Sequence, residues 1–116
     1  MKKLSCFLLI ILMVFPVHAN KIFGSKKEQL YNGLQVLSIC QYQKKKCDRY
    51  FLDIMDVLDA FKLVGGDEAT TCVPDNVKLE AFRDLGVGFL QANPDIQKYT
   101  AIAHLSGFYA KTFPCT

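Results

Sequence analysis

Long hydrophobic runs are scarce in this 116-residue chain: only one occurs, from Leu4 to Val17. It falls short of the roughly 20 apolar residues that a spanning helix needs. With Lys2 and Lys3 before it and Val17-His18-Ala19 after it, the run reads as a secretory signal over residues 1–19. Its removal leaves residues 20–116, enough for one domain and too few for a two-domain enzyme. Charge of one sign is lacking too. Twelve Lys and Arg remain against 11 Asp and Glu, a net +1 that speaks against a nucleic-acid partner. No membrane contact is expected after signal cleavage, since no second apolar segment follows.

Histidine is the next shortage. Only His18 and His104 occur, and His18 leaves with the signal. A thiol or serine hydrolase needs a free nucleophile and a base to activate it. His104 is the single candidate base, placed inside a helical pattern where packing is its expected role. Ser25, Ser38 and Ser106 occupy a cap and two helix interiors, and none sits in a nucleophile turn. Gly86-Val87-Gly88 falls short of a dinucleotide loop, because Gln91 stands at the third glycine position and no strand precedes it. These shortages argue against an enzyme, and nothing in the sequence calls for a cofactor or metal.

Cysteine, by contrast, is present in a telling number. Cys6 departs with the signal, leaving Cys40, Cys47, Cys72 and Cys115. Four cysteines in a small exported chain read as two disulfides. Three pairings are possible, and we expect Cys40–Cys47, which brackets a short loop, with Cys72–Cys115, which ties the C-terminus to an internal loop. On the chain-entropy account these crosslinks contribute about 2.5 and about 4 kcal/mol. A zinc cluster fits less well, because six residues separate Cys40 from Cys47 where metal sites usually have about two to four.

Four helices are expected, with no alternation long enough for a strand. The first opens at a Ser25/Glu28 capping box and runs a stripe of Leu30, Leu34 and Leu37, with Val36 and Ile39 off it. A polar linker, 41–46, precedes a second helix starting near Asp48. Its apolar face is Tyr50, Phe51, Ile54, Met55, Leu58 and Phe61, its wet side Asp53, Asp56 and Asp59, and Gly65-Gly66 ends it. The third, about 78–91, points Leu79, Phe82, Leu85, Phe89 and Leu90 inward. Its Gly86 and Gly88 each cost about 1 kcal/mol against alanine, which calls for a neighbouring helix in close approach, from this chain or a second subunit, or for local fraying or a kink. Asn93-Pro94 stops it. The fourth, about 95–111, carries Tyr99, Ile102, Leu105 and Tyr109. The fold class is therefore all-α: a compact four-helix domain stapled by two disulfides.

Two charged segments invite a binding role. Lys44-Lys45-Lys46 with Arg49 forms a basic patch, read first as a solvated loop. The long connection 65–76 carries Asp67, Glu68, Thr70 and Thr71 beside Cys72, and loops held by a rigid scaffold often carry recognition. Those four residues are the candidate partner-binding set.

The order Cys40, Cys47 with Tyr50, Cys72-Val73-Pro74, Asn93-Pro94 after a helix, and terminal Phe113-Pro114-Cys115 resembles the Rap/Tai immunity proteins. The likeness runs from about Leu30 to Cys115. It implies a small helical periplasmic protein, often dimeric, that occludes a cognate amidase effector of type VI secretion. A possible homodimer is thus implied as well. Lys78, where the family tends to place a capping hydroxyl residue, and the Gly86/Gly88 pair depart from the pattern. The alternative is a general periplasmic stress protein, similar to small helical acid-stress chaperones.

Overall fold

The computed structural model describes residues 30–116; the expected signal over 1–19 and the Ser25/Glu28 cap lie outside the described residues. Four α-helices follow one another: α1 Gly33–Tyr42, α2 Lys44–Gly65, α3 Leu79–Ala92 and α4 Ala101–Thr112. Short 3-10 turns at Gly66–Glu68 and Pro94–Ile96 separate them, and among the described residues extended pairing is limited to isolated bridges. The four-helix architecture is as expected. Both disulfides form as expected, at Cα separations of 4.7 Å for Cys40–Cys47 and 5.0 Å for Cys72–Cys115.

Several element boundaries differ from the expectation, each for a local reason. Residues 30–32 stand outside the helix, and α1 starts on a capping box of Asn32 and Gln35. The Asn32 side chain accepts from the Gln35 N–H at 2.8 Å, while the Gln35 side chain accepts from the Asn32 N–H at 2.9 Å. This start puts Val36 in the core and leaves Leu30 and Leu34 exposed, inverting the expected stripe. The linker 41–46 shrinks to Gln43, because α2 begins four residues before Asp48. Asp48 instead forms an ion pair with Arg83 of α3. The fourth helix loses its first turn and a half: Pro94–Ile96 is a 3-10 turn, and Tyr99 is exposed outside α4.

The ends predicted from glycine and proline hold. Gly66 ends α2 with φ at 53°, a left-handed value that glycine adopts without strain. At Asn93 the side-chain amide donates to the Phe89 carbonyl at 2.8 Å, and Gln97 does the same for Leu90, so two carbonyls at the end of α3 are satisfied. Lys78 is the N-cap of α3 and makes no side-chain capping bond, since lysine offers no acceptor oxygen for the free N–H groups.

The core is built on aromatic rings. Phe82 of α3 stacks on Tyr109 of α4 at 4.0 Å between centroids and meets Phe51 of α2 edge-on at 6.5 Å. Val36, Ile54, Leu90 and Leu105 fill the space around them. Gly86 explains how three helices reach this close. A Cβ at that position would lie 2.5 Å from Phe51 Cε1 and would collide with the Tyr109 hydroxyl as well. The close approach anticipated from sequence is therefore met inside this chain.

Two buried tyrosines behave oppositely. Tyr109 donates to the Phe82 carbonyl at 2.6 Å, whereas the Tyr50 hydroxyl has no hydrogen-bond partner among the described residues. Burial raises both phenols well above their ordinary 10.0, so both stay neutral. Tyr109→Phe should lose about 1 kcal/mol, while Tyr50→Phe should be neutral or gain a comparable amount. Because the folded-state values are raised, stability contributed by these groups is intact below about pH 10, the unfolded tyrosine value, and declines as pH rises above it. Urea titrations of the two variants, and of the parent protein across that pH range, check both statements.

Candidate partner-binding surface

At 22 residues α2 is about 33 Å long, well beyond the 10 to 14 residues of its neighbours. Its first half carries the core residues Cys47, Tyr50, Phe51 and Ile54. Its last turns have little to pack against. Val57, Phe61 and Val64 recur at i, i+4 and i+7, which places them on one face. Phe61 is 66% exposed, Leu63 85% and Val64 88%. Phe61 was expected to point inward; the helix simply outruns the core at that position. Leu85, also expected inward, is 40% exposed on α3.

Beyond this tip the chain turns at Gly66, and Asp67 and Glu68 sit exposed in the 3-10 turn. Thr70 is exposed, but Thr71 is buried and its backbone pairs with Pro114. The Cys72 N–H donates to the Phe113 carbonyl at 2.7 Å, and Cys72 is crosslinked to Cys115. Asp67, Glu68 and Thr70 thus share one surface with the α2 tip, whereas Thr71 anchors the loop to the C-terminus. The sequence reading missed Leu63 and Val64. Their signal was present: both fall off the inward stripe, and with Phe61 they put three large apolar residues in four positions.

Two smaller apolar surfaces lie elsewhere. Leu30, Leu34 and Tyr99 are exposed near one another, since the Gly33 and Leu34 N–H groups donate to the Tyr99 and Gln97 carbonyls. Val77, Leu85 and Phe113 line an open groove of about 450 Å³. His104 packs its ring 6.0 Å from that of Tyr99, and Ser106 donates to the Ile102 carbonyl within α4. No helix among the described residues is long and apolar enough to cross a membrane, and no cluster of metal-binding side chains occurs among them.

A crosslinked helical scaffold that exposes an apolar helix tip beside carboxylates has the features of a small binding protein. The model of the family described as Rap1a immunity proteins matches residues 32–115, and this chain belongs to that family. Neither the search of curated proteins nor that of solved structures gives a match.

Proposed function

We propose that this protein is an exported immunity protein that binds a peptidoglycan amidase effector of type VI secretion and blocks its cleft without turnover. Family membership supports an immunity role and a cognate effector as partner. The four cysteines in two disulfides fit an oxidising compartment, and hence the periplasm after loss of residues 1–19. The observation that carries the binding reading is the tip of α2. Phe61, Leu63 and Val64 stand exposed on a helix whose base is locked into the core, next to Asp67, Glu68 and Thr70. An apolar anchor held rigid before binding loses little conformational freedom when it docks, and anchors of this kind dominate interface energies.

A homodimer is not required by α3, because the glycine that invited a second subunit is occupied by Phe51 and Tyr109 of the same chain. The test is to titrate candidate type VI amidase effectors of the same cell with this protein and follow hydrolysis of peptidoglycan. One equivalent of the parent protein should abolish activity. Phe61→Asp with Val64→Asp should weaken inhibition by a hundredfold or more, since central anchors contribute several kcal/mol. Both side chains are exposed, so the melting temperature should barely move. Unchanged inhibition by the double variant would remove the tip from the interface. Suppression of unrelated client aggregation, without inhibition of the amidase, would favour the stress-chaperone alternative.

A further inference from the structure

The opposite end of α2 carries a second surface with different chemistry. Four of the chain's 14 basic residues fall within Lys44–Arg49. The sequence reading treated this segment as loop, but the structure makes it the first turns of α2. Successive helical residues are about 100° apart, so Lys44, Lys45 and Lys46 spread around the helix end in place of lining one side. All three and Arg49 are exposed. The nearby carboxylate, Asp48, is committed to Arg83, and the first turn holds no acidic residue. Among the described residues, no ion pair offsets the charge of the cluster.

The apex is also rigid and partly aromatic. α1 ends at Tyr42 and α2 begins at Lys44, with Gln43 alone between them and the Cys40–Cys47 crosslink directly beneath. Tyr42 is 76% exposed at this corner, and the Tyr31 ring sits under the Lys46 ammonium at 5.7 Å. The junction of α1 and α2 thus brings four exposed basic residues together with an exposed tyrosine. It matches what a flat anionic surface selects, where basic side chains meet lipid phosphates and tyrosine settles at headgroup level.

We infer that the Tyr42–Arg49 corner docks peripherally on anionic phospholipid, holding α2 by its basic end. This proposal departs from the expectation of no membrane contact, while no helix among the described residues is long and apolar enough to span a bilayer. Docking at this end leaves the α2 tip about 30 Å away, free to meet a protein partner. The inference is independent of the amidase reading, because it concerns the other end of the helix and a different ligand.

The experiment is co-sedimentation of the disulfide-bonded protein with vesicles of phosphatidylcholine, with and without phosphatidylglycerol. Binding should require phosphatidylglycerol and fall as salt is raised, because the attraction is screened. Each exposed lysine near an anionic surface changes partitioning by about fivefold. Lys44→Gln with Lys45→Gln should therefore weaken binding by about twenty-five-fold. Asp67→Asn with Glu68→Gln, at the far end, should not weaken it. Thermal melts confirm that each variant is folded. Equal binding to both vesicle types, or the same binding by the lysine variant, would overturn the proposal. So would binding to polyglutamate without binding to vesicles, which would make the patch a reader of acidic protein.

Discussion

Gly86→Ala should destabilise the protein by about 2–3 kcal/mol, while Gly88→Ala, two residues along the same helix, should stabilise it by about 1 kcal/mol. Both substitutions bring alanine's helix preference, so any difference between them reports the surroundings. At Gly86 the new methyl meets the Phe51 ring from α2 and the Tyr109 hydroxyl from α4. Neither side chain can swing away, because Phe51 and Tyr109 are both fully buried and Tyr109 is hydrogen-bonded to Phe82. At Gly88 a Cβ would meet nothing within 4 Å. For a domain of this size each kcal/mol moves the melting temperature by about 4–8 °C, so the two variants should melt on opposite sides of the parent. Parallel shifts of both variants would mean that α3 does not pack against Phe51 and Tyr109 as described.

Removing the Cys72–Cys115 crosslink should have the largest effect of any change considered, about 4 kcal/mol. It closes a sequence separation of 43, against 7 for Cys40–Cys47, and loop-closure entropy grows with that length. Cys40–Cys47 joins helices that Gln43 already holds together, and its loss should cost about 2.5 kcal/mol. Domains of this length are stable by only about 4–13 kcal/mol, so the larger loss consumes a substantial share. The cost also falls near the proposed binding surface, since the backbone from Thr70 to Cys72 is held by Phe113, Pro114 and Cys115. Urea denaturation of Cys72→Ala with Cys115→Ala, beside Cys40→Ala with Cys47→Ala, gives the order directly. The opposite order would show that the crosslink at the helix corner, not the one at the C-terminus, limits the unfolded chain.

Much of this fold could be read from residues whose effect is local. Gly65-Gly66 and Asn93-Pro94 ended helices where they stand, because each acts on its own backbone. The disulfide pairing followed from which loops the cysteines bracket. The Ser25/Glu28 box lies outside the described residues, while in α1, capped by Asn32 and Gln35, Val36 and not Leu34 faces the core. Tertiary contacts hold the start of α1: the Tyr31 carbonyl accepts from Ala101 and the Gly33 N–H donates to Tyr99. The candidate surface was half visible. Asp67, Glu68 and Thr70 stood out by charge and loop position, and Thr71 was grouped with them although its backbone pairs inward with Pro114. Phe61, Leu63 and Val64 were hidden because a helical stripe reveals which residues share a face, not where the neighbouring helices stop.

Hydrogen exchange of the protein alone and with one equivalent of its cognate effector, proposed above to be an amidase, tests the central claim most directly. Slower exchange over residues 61–70, from the α2 tip through the Asp67 turn, with α3 and α4 unchanged, is the predicted result. Protection confined to other helices, or no protection at saturating effector, would contradict an immunity protein that works through this tip.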